Sequence, residues 1–184
     1  RVTSEGIIVD GRLIASGPEG VFEGNLAVAI GICIALGVDP AAFTSRLAEL
    51  PVADHRQSVL TSPAGFAIID DTFNSNPAGA RRALELLQDL GSSGKTVVVT
   101  PGMVELGSRQ AEENRAFAAA ASQAADHLLV VARTNRAALV AGSAQGRASV
   151  TVVGSREEAV AWVRENLGPG DVVLYENDLP DHYP

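Results

Sequence analysis

Basic residues are scarce in this chain. Among 184 residues, 14 lysines and arginines stand against 22 aspartates and glutamates, a formal charge of −8. No Lys/Arg stripe is available to neutralise a nucleic-acid backbone, which argues against a nucleic-acid surface. A nucleotide site stays open, because a few local donors can hold one phosphate group. Cysteine is almost absent. Cys33 lies alone inside an apolar helical pattern, so it forms no internal disulfide and reads as a core residue in a reducing, cytoplasmic setting. Long hydrophobic runs are missing too. The longest, Leu26 to Leu36, is too short to span a bilayer. No basic segment followed by an apolar core opens the chain, so a secretory signal is not expected. The chain starts at Arg1 without a Met and reads as the carboxy-terminal piece of something longer.

Several kinds of chemistry are absent. His55, His127 and His182 stand apart with one cysteine, so no metal-ligand spacing exists. There is no Gly-x-Ser-x-Gly nucleophile elbow. Gly94-Lys95-Thr96 imitates a phosphate-binding loop, but position 89 is Asp89 where that motif needs glycine. The order is also reversed, with a helical pattern before the triplet and a strand after it, so the loop amides and a helix N-terminus could not face an anion. His127, directly before an apolar strand, reads as a strand-edge residue. On its own residues the chain is a binding half, with no catalytic residue and no metal ligand assigned.

What is present is an α/β pattern after a different beginning. Ile7-Ile8-Val9, Asp10-Gly11 and Leu13-Ile14-Ala15 predict a hairpin. A helix from about Asn25 to Leu36 is apolar nearly all round and is expected to be buried. Gly37 stops it, and Asp39-Pro40 opens a second helix with Phe43, Leu47 and Leu50 inward. The boundary is placed at Pro51–Asp54, giving domains 1–53 and 54–184. Beyond it, strands are expected at Ser58–Leu60, Phe66–Ile69, Thr96–Val99, Leu128–Val131, Val150–Val153 and Val172–Leu174. Helices are expected near 77–90, 109–124, 134–142 and 156–167, the last opened by Ser155 and Glu158 at capping-box spacing, with Ala159, Trp162, Val163 and Leu167 inward. The five-residue link Thr61–Gly65 is too short for a crossover, so the first two strands should be antiparallel and the rest parallel.

The segment Ile69-Asp70-Asp71-Thr72-Phe73-Asn74-Ser75-Asn76-Pro77 carries the most information. An apolar run delivers two carboxylates to the carboxyl end of a strand. Pro77 then opens a helix with Ala80, Ala83, Leu84, Leu87 and Leu90 on one face, where its missing N–H is no loss. Such strand-to-helix crevices are where open α/β sheets bind ligands. Spacing alone equally allows an ordinary turn with Asn76 as N-cap and the aspartates solvated.

Four segments together resemble the Mur ligase family. They are Gly24-Asn25-Leu26-Ala27-Val28-Ala29, Asp54-His55-Arg56, Asp70–Pro77, and Pro101-Gly102-Met103-Val104-Glu105-Leu106-Gly107. The resemblance implies a Rossmann-like, mostly parallel six-stranded sheet with one antiparallel strand, preceded by the end of a central ATPase domain. It implies an ATP- and Mg²⁺-dependent ligase in peptidoglycan precursor synthesis, which activates a carboxylate as an acyl phosphate and joins it to an amine. The metal ligands and a UDP-sugar peptide site would lie upstream, so this chain alone is expected to be inactive. By the same resemblance Asn25, Arg56 and Asp71 are expected at the nucleotide. Asn74, Ser75, Asn76, Met103 and Glu105 are expected at the incoming amine, with D-alanyl-D-alanine the leading candidate. Neither nucleic acid nor membrane is an expected partner.

The sequence departs from the family pattern at Val21-Phe22, at Pro101 and Val104, and over Tyr175–Pro184, where the family has a Gly/Ser/Arg-containing segment belonging to the amino-acid site. Two alternatives remain: a Mur-like ligase making a different amide, and a non-catalytic nucleotide-binding α/β module.

Overall fold

The computed structural model describes residues 2–3, 6–9, 12–15, 23–47, 58–73, 75–91 and 93–179. The chain divides into two compact units, Arg1–Ala53 and Asp54–Pro184. In the first, strands β1 (Val2–Thr3), β2 (Gly6–Val9) and β3 (Arg12–Ala15) form an antiparallel sheet in that order. The expected hairpin is present as β2 and β3; its Asp10-Gly11 turn lies outside the described residues. Helices α1 (Glu23–Ala35) and α2 (Pro40–Leu47) follow. Of α1, Leu26 and Ile30 are buried. Val28 and Ile32, with Leu36 just past the helix, are 64%, 56% and 77% exposed, so the expected all-round burial is not found. A helix apolar on every side needs cover on every side, and here the cover lies over the Leu26–Ile30 stripe. Cys33, on the same helix, is half-buried rather than core.

The second unit alternates as its sequence pattern requires. Its elements are β4 (Ser58–Thr61), β5 (Ala67–Asp71), α3 (Pro77–Leu90), β6 (Thr96–Thr100), α4 (Gln110–Ala124), β7 (His127–Val131), α5 (Arg136–Ser143), β8 (Ser149–Val153), α6 (Arg156–Asn166) and β9 (Val172–Glu176). A single 3-10 turn, Gly107–Arg109, leads into α4. The six strands form one sheet in the order β4-β5-β9-β6-β7-β8. The β4–β5 pair is antiparallel, and every other pairing is parallel. The last strand thus occupies the middle of the sheet, between β5 and β6. Side chains alternate across a strand, and both faces are apolar, as a parallel sheet covered by helices demands. One face packs Ile69, Val98, Leu128 and Leu174 against Ala83, Leu84 and Leu87 of α3, Phe117 and Ala121 of α4, and Leu139 of α5. The other packs Val97, Val99, Leu129 and Val173 against Ala159 and Val163 of α6.

Local chemistry sets the helix starts. Asn76 caps α3: its Oδ1 accepts from the backbone N–H groups of Ala78 and Gly79 at 3.1 and 3.0 Å, and Pro77 needs no acceptor. Leu90, expected inward, is 39% exposed because it falls on the last residue of the helix. At α6, Ser155 Oγ accepts from the Glu158 N–H, while the Glu158 carboxylate returns to the N–H of Gly154, one residue earlier than in a standard capping box. His127 opens β7 and rests on Trp162 with ring centroids 5.2 Å apart. Asn76→Ala should therefore lower stability by about 1 kcal/mol, the usual value of an N-cap. Urea unfolding checks this, and an unchanged midpoint would remove the cap from the account.

Candidate functional site

The carboxyl edge of β5, β9 and β6 collects the polar groups. The register pairs Asp71 with Glu176 and Val99 with Tyr175, which brings Thr100 beside Glu176 on the other side. Alternation therefore lines up Asp71, Glu176 and Thr100 on the face that α3 covers, and puts Tyr175 and Val99 on the α6 face. Glu176 is completely buried. Its carboxylate accepts from the hydroxyl of Ser75, in the turn before α3, and from Thr100 Oγ1 at 2.9 Å. Thr100 Oγ1 in turn accepts from the backbone N–H of Gly102 at 2.9 Å. One carboxylate thus links the turn after β5 to the loop after β6. Burial raises the pKa of Glu176 to about 7; the Ser75 and Thr100 hydroxyls work against that rise, and the Asp71 charge adds to it.

The loop after β6 is clamped by two buried asparagines. Asn114 of α4 accepts from the Met103 N–H at 2.7 Å and donates to the Met103 carbonyl at 2.8 Å. Asn135, before α5, donates to the carbonyls of Pro101 at 3.0 Å and Met103 at 3.2 Å. Gly102, at φ +79, fits between them: a Cβ there would stand 2.4 Å from Asn114 Oδ1. Among the described non-glycine residues, three have left-handed backbone, Glu105, Ala132 and Asn177, and each follows a strand at this edge. Such conformations cluster where surrounding structure holds a site in shape. Asn177 donates its side-chain N–H to the Gly102 carbonyl at 2.7 Å and so adds a third tie to the loop.

On the α6 face the same edge opens into a crevice of about 380 Å³. Its walls include Thr72, Pro101, Ala132, Tyr175 and Asn177 from the strand ends, and Ser155 and Arg156 from the start of α6. Arg156 is paired with the carboxylate of Asp178 in the same wall. Burial also raises the pKa of Tyr175, with Arg164 and Arg156 opposing the shift.

The expected site residues fall into separate places. Asp71 is half-buried at the end of β5, and neighbouring Asp70 accepts from the N–H and hydroxyl of Thr72. Ser75 is buried against Glu176, and Asn76 is exposed and caps α3. Glu105 is exposed on the loop. Met103, expected at the amine, has its side chain fully buried in the cluster with Leu174 and Phe117 and its backbone bound on both sides. Asn25 is exposed on α1 in the first unit. Arg56 and Asn74 lie outside the described residues. Asp71, Ser75, Asn76, Met103 and Glu105 do not line the crevice; their loops reach it through Thr72 and Pro101.

Glu176, Thr100, Asn114 and Asn135 were not anticipated. Asn114 carried a signal, an amide three, four and seven residues before Phe117, Ala118 and Ala121 on a buried helical face. Among the described residues no group of three His, Cys, Asp or Glu could hold a metal ion, and no helix is long and apolar enough to cross a membrane. Gly94-Lys95 leads into β6, as a turn before a strand.

Fold and edge together define an α/β domain with a crevice at the carboxyl ends of a mostly parallel sheet, the place where open sheets of this kind bind ligands. A family model described as Mur ligase, glutamate ligase domain, matches residues 55–175, and the chain belongs to the Mur ligase family. It is 24% identical over 163 residues to UDP-N-acetylmuramoyl-tripeptide--D-alanyl-D-alanine ligase of Bacillus subtilis, covering 87% of this chain and 35% of that protein. The Mycobacterium leprae ligase of the same name is 30% identical over 167 residues, covering 80% and 32%. A crystal structure of MurF from Acinetobacter baumannii superposes with TM-score 0.63 at 22% identity, covering 85% of this chain and 34% of that one. The murein peptide ligase mpl from Psychrobacter arcticus superposes with TM-score 0.67 at 15% identity, covering 89% and 35%. The chain thus spans about a third of the length of the relatives it matches.

Proposed function

We propose that this chain is the carboxy-terminal part of an ATP-dependent amide ligase of peptidoglycan precursor synthesis. Residues 1–53 end its ATPase domain, and residues 54–184 form the domain that closes over the nucleotide and receives the incoming amine. Asn25, Arg56 and Asp71 contact ATP in the closed enzyme. Mg²⁺ would neutralise phosphate charge from ligands upstream of this chain, and a UDP-sugar peptide would bind the upstream domain. The observation that carries this reading is the carboxyl edge of the sheet, where two rigidly held loops flank an open crevice in a chain of this family.

The site's chemistry suits an amino acid or dipeptide as the amine. Arg156 and Asp178 put a guanidinium and a carboxylate in one wall, complementary to the two charges of a zwitterion. The first amides of α3 already bond to Asn76 Oδ1, so a carboxylate at that turn would be held by the side-chain amides of Asn74 and Asn76 rather than by the helix terminus. Glu105 stands on the facing loop, and the buried Met103 backbone fixes that loop's shape. D-alanyl-D-alanine is the first amine to test. The departure of the segment Tyr175–Pro184 from the family pattern favours a second reading, a family ligase that makes a different amide.

Asn74→Ala in the full-length ligase should raise the KM for the amine at least tenfold and leave that for ATP unchanged, with phosphate release as the assay. Equal KM values in variant and parent would remove Asn74 from the amine site. Absence of amine-dependent phosphate release with every amino acid and dipeptide offered would reject the ligase reading itself.

A further inference from the structure

The sealed polar row under α3 has a role that the open crevice does not explain. Glu176 touches no solvent, so it meets no ligand, yet it is the junction of the two loops beside the crevice. We propose that Glu176 is a positioning residue: its charged carboxylate fastens the Ser75 turn to the Thr100–Gly102 loop across β9, and both loops rearrange when it takes up a proton.

The geometry carries this. A charged carboxylate has acceptor sites alone, so both hydroxyls must donate to it. The Thr100 hydroxyl, its hydrogen committed to Glu176, then presents a lone pair to the Gly102 N–H, as observed. A neutral carboxyl group instead carries a hydrogen that must be given to one of the two hydroxyl oxygens. Whichever hydroxyl receives it can no longer donate to Glu176 and must turn its own hydrogen to another acceptor, so either the Ser75 or the Thr100 contact is remade. Either outcome shifts a loop that reaches the crevice, since Pro101 adjoins Gly102 and Thr72 belongs to the Ser75 turn.

Among the described residues the charged group that faces Glu176 is Asp71 of β5, which opposes its ionisation; Ser75 from the α3 side and Thr100 from β6 favour it. The titration midpoint lies near neutrality, about 7, where a junction of this kind responds to small changes in its surroundings. The Asp71 charge opposes ionisation of Glu176, so anything that neutralises Asp71 promotes the fastened arrangement.

Amide chemical shifts of this chain, followed by NMR from about pH 5.5 to 8.5, test the inference. Ser75 and Gly102 should move together with one midpoint, and Glu176→Gln should abolish that movement while the circular dichroism stays unchanged. Ser75→Ala removes a donor to the charged form and should move the Gly102 midpoint up. Asp71→Asn removes the opposing charge and should move it down. Amides that stay still in the parent chain, or that titrate equally in Glu176→Gln, overturn the proposal.

A second measurement rests on the ligase reading given above. In the full-length enzyme, the KM for the amine should fall as pH rises through the same midpoint, and Glu176→Gln should flatten that profile. A profile that persists in Glu176→Gln overturns the positioning role. If the parent enzyme forms no amide at any pH, the ligase reading fails, while the amide shifts still decide whether Glu176 holds the loops.

Discussion

Glu176→Gln should make the chain more stable at pH 8 and leave it nearly unchanged at pH 4.5. The sign follows from the direction of the shift. The pKa of the carboxyl lies at about 7 in the folded chain, against an ordinary 4.5, because burial penalises the charged form more than two hydroxyl donors compensate. Between those values the folded chain holds a proton that the unfolded chain has released. This group's contribution is therefore full below 4.5 and is lost as pH rises through about 7. Glutamine has nearly the same shape, and its amide can pair with both hydroxyls, which rotate to suit, yet it does not titrate. The gap between the two proteins should widen in favour of glutamine by on the order of 3 kcal/mol across that range. Urea unfolding at a series of pH values reads this directly. Parallel stability curves for parent and variant would mean that Glu176 is not held as described.

Asn114→Ala should lower stability by about 3 kcal/mol, enough to threaten a domain of ordinary stability. The side chain is fully buried and makes three hydrogen bonds, to the Met103 N–H, the Met103 carbonyl and the Gln110 carbonyl. Alanine leaves the Met103 N–H without its acceptor, which is the expensive part, because a buried donor without a partner loses its full hydration. The Met103 carbonyl fares better, since Asn135 also donates to it. That shared acceptor makes a sharper test. Each single variant leaves the carbonyl one donor, whereas Asn114→Ala with Asn135→Ala leaves it none. The double variant should therefore cost about 1 kcal/mol more than the two singles added together. Strict additivity in denaturant unfolding would show that the two amides do not share the Met103 carbonyl.

Much of the second unit was legible in its sequence. Short apolar runs separated by capped amphipathic segments leave few structures open, and the five-residue link before Phe66 forces the antiparallel pair. Asn76 and Ser155 announced their caps by type and spacing. Strand order was not legible, because nothing local in Val172–Glu176 says that it slides between β5 and β6 rather than adding at an edge. For the same reason Glu176 was missed: an acid at the end of an apolar strand reads as the place where the strand meets water, and only its neighbours across the sheet bury it. Asn114 was more readable, being an amide where helical periodicity asks for an apolar side chain. The inward turn of Met103 was not legible, because resemblance identifies a loop without saying which of its side chains turn inward. The exposed flank of α1 fails in the opposite way, since an apolar sequence reports a need for cover and cannot say what lies on each side.

The central place of β9 has a consequence for how this domain comes into being on the ribosome. Synthesis delivers β5 and β6 early, but in the finished sheet they do not pair with each other: the slot between them belongs to residues translated after every other strand of the sheet. Until Val172–Glu176 leave the exit tunnel, two central strands stand with open edges, and parallel pairing over such distances is slow. A chaperone that shields strand edges would find its client in that interval. A chain cut short before β9 would lack both the middle of its sheet and the carboxylate that joins its loops, so proofreading for completeness is written into the strand order.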